Sequence, residues 1–190
     1  MTGAAPWRII LPAPERPDGK APPRSAELDD LATRWRRQLV ADRTYSEAHA
    51  SALTDPARVC SWAPPPLHGP RITLALVNGK VIAGVELWQR RTPISWFLEN
   101  LVRDQAPEFK GSGRAVVEAA MRWWRATYGH YVTEVRAHAM EGEPIAVGWW
   151  TEFLQRPPDF GGESIRGGGM TFPAVGWVVH SPPTRMGQAL

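Results

Sequence analysis

Apolar residues along this chain recur at two spacings, one near 3.6 and one of two, and the switches between them outline its elements. Leu28, Leu31, Trp35 and Leu39 fall on one helical face behind Ser25, a residue type that caps helix N-termini, so a first helix is expected there. A second helix is expected over Ser46 to Arg58, before the breaker run Ala63-Pro64-Pro65-Pro66. The rhythm then shortens. ITLALV and KVIAGVEL are β-rich runs joined by Asn78-Gly79, a pair that accepts the positive φ angles of a type I′ turn, which predicts a tight hairpin. ISWFLENLV predicts a third strand over Ile94 to Val102.

Helical spacing returns from about Ser112 to Thr127. Val116, Val117, Ala120, Met121 and Trp124 line one face there, and Glu118, Arg122 and Arg125 the other. YVTEVRAHAM reads as another strand. Pro144 stands where a first-turn proline belongs and opens a helix through about Gln155. Gly161, Gly162 and Gly167 to Gly169 predict a flexible connection through GGESIRGGGM, followed by one or two strands in MTFPAVGWVV. The order predicts an α/β domain, a mixed sheet with helices on both faces. The proline-rich residues 1–24 cannot form a regular helix and are expected to drape over the domain or stay mobile, leaving 25–190 as one domain.

Composition narrows the class. The chain has 190 residues, 43% of them hydrophobic and 22% charged, as a globular protein with one core requires. A net charge of +3 permits nucleic acid or acidic partners without arguing for them, and direct nucleic-acid function is not expected because no basic run is interleaved with aromatics. Cys60 is the only cysteine, which excludes an intrachain disulfide and fits a reducing compartment. No long apolar run marks a signal peptide or membrane span, so a cytoplasmic protein is expected. The five histidines show no metal-ligand spacing, and no metal site is expected.

Chemistry concentrates in PEFKGSGRA, residues 107–115, which runs straight into the helical segment. Backbone N–H groups at a helix start have no internal partner, and the helix dipole favours an anion there. Gly111 and Gly113 allow close approach, while Lys110 and Arg114 add positive charge. An ordinary turn and a phosphate seat are both compatible with these residues alone. The spacing is neither that of a Walker A loop nor of a dinucleotide fingerprint.

In context the stretch resembles the acyl-CoA pyrophosphate loop of the Gcn5-related N-acetyltransferases, the GNAT superfamily. That loop reads [Q/R]-x-x-G-x-[G/A] after the central strand; Lys110, Gly113 and Ala115 stand at its key positions, with lysine in place of glutamine or arginine. Pro107-Glu108-Phe109 is similar to the segment that often introduces it. The resemblance covers about Ser25 to Val179. It implies a GNAT-like, mostly antiparallel mixed sheet and acyl-CoA, most simply acetyl-CoA, as cofactor. It also implies that Leu101, Val102 and Arg103 hold the pantetheine arm. The N–H groups of Gly111, Ser112, Gly113, Arg114 and Ala115 would hold the pyrophosphate.

The implied activity is transfer of the acyl group to an amine by direct attack, which calls for a proton acceptor and a donor for the departing thiolate. Glu99 on the central strand is the first candidate base and Glu86 on the hairpin the reserve; a salt-bridged strand carboxylate is the alternative for Glu99. The family often places a tyrosine where this chain has Trp150, so water, Tyr128 or Tyr131 would have to supply the proton. Trp88, Trp96 and Trp150 are expected to flank the acceptor cleft. A non-catalytic module that binds acyl-CoA or a protein partner is the rival reading, and an acetyltransferase acting on aminoacyl-tRNA a third. A homodimer is compatible with all three.

Overall fold

A computed structural model describes residues 6–12, 26–41, 71–90, 95–129, 134–167 and 170–180. Among them are seven strands and three α-helices. The strands are β1 (Arg8–Ile10), β2 (Arg71–Val77), β3 (Lys80–Arg90), β4 (Ser95–Arg103), β5 (Glu134–Met140), β6 (Phe160–Gly167) and β7 (Met170–His180). The helices are α1 (Ala26–Ala41), α2 (Ser112–Tyr128) and α3 (Pro144–Leu154). The strands form one sheet in the order β1-β2-β3-β4-β5-β7-β6. Every neighbouring pair is antiparallel except β4 and β5, which α2 links as a crossover.

The hairpin forms as its turn chemistry dictates, with Asn78 and Gly79 at φ 50° and 78°. β3 is buried on both faces from Val81 to Trp88, which explains its near-continuous apolar sequence. One face packs Leu28 and Leu31 of α1 on Val81 and Val102. The other carries the main core, where Val116, Val117, Ala120 and Trp124 of α2 meet Val85, Leu87 and Leu98. Trp150 of α3 joins that second face and lies 6.3 Å, ring to ring, from Trp177. Helices therefore cover both faces of a mixed, mostly antiparallel sheet.

Two expectations change. The described part of GGESIRGGGM is no flexible connection: Phe160–Gly167 is the edge strand β6, paired antiparallel with a single β7, and Gly168 and Gly169 lie outside the described residues. An edge strand needs ladder bonds on one side only, so glycines weaken it less than they would a central strand. Gly162, at φ 84°, is the extra residue of a bulge between Gly161 and Glu163. The proline-rich start also contributes an element, since Arg8–Ile10 pairs with Leu74–Leu76 between two prolines. The expected helix over Ser46 to Arg58 and the cap at Ser25 lie outside the described residues.

Candidate functional site

The central strand pair opens. β4 and β5 pair only at Trp96↔Val135, Phe97↔Arg136 and Leu98↔Ala137. β4 continues to Arg103 and β5 to Met140 without further pairing to each other. A bulge accompanies the divergence: two residues of β4, Asn100 and Leu101, stand opposite Val85 alone, between the pairs Gly84↔Val102 and Glu86↔Glu99. The β5-facing edge of residues 99–103 thus presents backbone groups that β5 does not use, an edge that an extended amide chain can pair with.

The chain then turns through a 3-10 segment, Pro107–Phe109, into α2. Gly111 is the N-cap at φ 95°, a conformation that favours glycine. Ala115 N–H donates to the Gly111 carbonyl at 3.0 Å and is engaged within the helix. The N–H groups of Ser112, Gly113 and Arg114 precede it and lack a carbonyl one turn back in the helix. Ser112 is fully buried, and its Oγ has no hydrogen-bond partner among the described residues. Gly113 is buried too, and a Cβ there would stand 3.5 Å from Arg103 Cδ. Lys110 is exposed, whereas the Arg114 guanidinium is held by Glu118 at 2.9 Å and lies over the Phe153 ring.

Asp104 braces this corner. Its carboxylate accepts from Ala106 N–H at 3.1 Å, from Lys80 Nζ at 3.3 Å and from Arg34 Nη1 at 3.3 Å. Burial alone would raise its pKa. The Ala106 N–H and the two cations outweigh that and hold it below the ordinary carboxylate value. An orphaned hydroxyl, a glycine cradle at a helix start and an open amide edge running into it fit a diphosphate carried on an extended amide chain, as coenzyme A is.

The expected acid–base residues come together by backbone register. Glu86 and Glu99 are cross-strand partners on the α1 face. Glu86 is fully buried and accepts from Trp88 Nε1 at 2.9 Å. The tryptophans disperse. Trp88 shares that face with Glu86, whereas Trp96 is core on the α2 face, 4.7 Å from the Tyr128 ring. Trp150 is likewise core, edge-on to Trp149 at 4.8 Å. Tyr131 lies outside the described residues.

Sequence reasoning missed a His138–Glu163 pair at 2.9 Å on the α1 face. The two residues sit on β5 and β6, which are joined only through β7, so no local spacing signals them. Among the described residues no cluster of three metal-ligating side chains occurs, and no helix is long and apolar enough to cross a membrane.

No protein-family model and no curated protein matches the chain. Solved structures do. A Staphylococcus epidermidis protein described as an acetyltransferase superposes with a TM-score of 0.56 at 11% identity, over 93% of this chain and 99% of its own. A Desulfovibrio desulfuricans protein described as a GNAT-family acetyltransferase gives 0.50 at 10% identity, over 90% and 98%. A Bacillus anthracis protein described as a streptothricin acetyltransferase, solved with acetyl coenzyme A, gives 0.43 at 14% identity; 62% of this chain aligns with it, spanning 64% of its length. Sheet order, the opening between β4 and β5, the β4 bulge and the first two superpositions agree: the chain has the fold of the GNAT superfamily.

Proposed function

We propose that the protein is an acyl-CoA-dependent N-acyltransferase that moves an acyl group, acetyl first among them, to an amine of a small molecule, peptide or protein. The observation that carries this reading is the continuity of one surface: the unpaired β4 edge from Glu99 to Arg103 leads directly into the glycine-bearing start of α2. Leu101, Val102 and Arg103 offer backbone groups to the pantetheine amides, and Ser112, Gly113 and Arg114 offer N–H groups to the pyrophosphate. Lys110 adds charge at the rim. Acetyl-CoA supplies an activated acyl carbon as a thioester. At about 3.3 Å per residue, Glu99 stands some 13 Å along β4 from Arg103, which places it toward the thioester end of the arm. Glu99 is our candidate for the base that deprotonates the attacking amine, with Glu86, its cross-strand neighbour, in reserve; their backbone pairing supports this reading.

Titration calorimetry with acetyl-CoA and with desulfo-CoA tests the cofactor, and absence of binding by both rejects the reading. Glu99→Gln should lower turnover on a responsive amine with cofactor affinity nearly unchanged; equal turnover removes Glu99 from the chemistry. One observation favours the second reading, a non-catalytic acyl-CoA-binding module: Trp150 is packed against Trp177 in the core and offers no hydroxyl to a thiolate. Binding without turnover across a broad amine panel is its signature.

A further inference from the structure

Arg103 ends β4 and carries its side chain to the α2 face, since Val102 before it packs on the α1 face. Its stem lies against the first turn of α2: a Cβ built on Gly113 would stand 3.5 Å from Arg103 Cδ and 4.0 Å from Arg103 Cβ. The residue is half-buried. Among the described residues its guanidinium makes one hydrogen bond, from Nη1 to the Asp104 carbonyl at 3.3 Å, and no ion pair. The carboxylates of this corner are engaged elsewhere. Asp104 accepts from Lys80 and Arg34, and Glu118 holds Arg114 at 2.9 Å and meets Arg122 at 4.0 Å. Glu108, on the 3-10 segment, is exposed and forms no ion pair among the described residues.

A half-buried guanidinium without a carboxylate is unfavourable, and the positive end of the α2 dipole beside it adds to that cost. The N–H groups of Ser112, Gly113 and Arg114 stand at the same place and lack a carbonyl one turn back. Ser112 is fully buried, and its Oγ has no partner among the described residues either. Positive charge and open donors gathered from two elements call for an anion. A planar fork of N–H groups beside a row of backbone N–H groups suits phosphate, which offers several oxygens to each.

We infer that the Arg103 side chain binds the diphosphate of the acyl donor, its guanidinium forming one wall of the seat and the first turn of α2 the other. The inference rests on the acyl-CoA reading and deepens it, because that reading uses only the Arg103 backbone, for the pantetheine arm. As the last residue of β4, Arg103 serves both parts of the donor. Its backbone ends the open amide edge and its side chain reaches α2. A diphosphate clamped there sets the register of the arm, which then runs back along β4 toward the opening beyond Leu98↔Ala137.

Arg103→Met tests the role in the full chain, since it keeps the stem over Gly113 and removes the charge. By calorimetry its Kd for desulfo-CoA should rise about 10- to 100-fold, and Arg103→Lys, which keeps the charge without the fork, should fall between it and wild type. Without ligand, Arg103→Met should melt no lower than wild type, because an unpaired charge is relieved. An arginine that only holds the corner together would instead lower the melting temperature and leave Kd unchanged, which overturns the inference. Phosphorus-31 NMR of desulfo-CoA separates the diphosphate signals from the ribose phosphate. Wild type should shift the diphosphate pair, and Arg103→Met should return that pair toward its free position; a change confined to the ribose phosphate overturns the assignment. Arg103→Lys carries the test if Arg103→Met does not fold. A Kd within about twofold of wild type in the folded variants overturns the inference and leaves the acyl-CoA reading standing. A wild-type chain that binds neither acetyl-CoA nor desulfo-CoA overturns both.

Discussion

Replacing Gly113 separates ligand approach from folding. An alanine Cβ there would stand 3.5 Å from Arg103 Cδ and 4.0 Å from Arg103 Cβ, both ordinary van der Waals distances. Gly113 is also helical, and alanine is favoured over glycine inside a helix by up to about 1 kcal/mol. Thermal unfolding should therefore hold steady or rise by up to about 2–4 °C in a chain of this size. The ligand side differs. A hydrogen bond from a backbone N–H to an anion contributes about 1.5–3 kcal/mol. A Cβ that holds a pyrophosphate off one or two such donors removes about 2–5 kcal/mol, or roughly 30- to 5,000-fold in Kd. Gly113→Glu adds a like charge and should remove measurable binding. Calorimetry with desulfo-CoA reads the affinity and a melting curve checks the fold. Native stability with Kd unchanged in both variants would refute the placement of the pyrophosphate at α2.

Asp104→Asn should cost about 1–2 kcal/mol at pH 7 through lost charge-assisted contacts, toward the low end because the Lys80 side chain is 58% exposed. Because the folded pKa is lowered, this stabilisation is complete above the unfolded value near pH 4 and fades as pH falls through the folded value. Urea curves of Asp104→Asn and wild type should therefore converge in acid, and a constant gap would argue against the ionised brace. Gly176→Ala should destabilise by about 1–3 kcal/mol, because its Cβ would overlap the Phe160 ring. In the Gly176→Ala/Phe160→Ala double variant part of that loss should disappear, and strictly additive losses would show that the ring is not seated over Gly176.

Local chemistry explains which features were legible from sequence. The hairpin, α2 and the loop before it announce themselves through Asn78-Gly79, an apolar stripe and two glycines, each set by near neighbours in the chain. The opening at Leu98↔Ala137 has no local signal, since it depends on where two strands far apart in sequence stop pairing. Composition misled where the sheet edge overrides it. Glycines suggested a connector at β6, yet the strand is fixed by β7 and by Phe160 seated over Gly176. Prolines hid β1 because three residues suffice to pair with β2. Glu163 meets His138 only because β7 brings β6 alongside β5.

Trp7 ties the segment around β1 to the loop before α2. Its ring packs beside the main core, and its Cη2 would lie 3.9 Å from a Cβ built on Gly111. A residue beside β1 thus touches a loop about a hundred residues later in the chain, a long-range contact that costs more closure entropy than a local one. Trimming the first ten residues should then leave the remaining sheet folded but let the N–H groups at the start of α2 exchange with solvent faster, because Trp7 no longer covers the loop at Gly111.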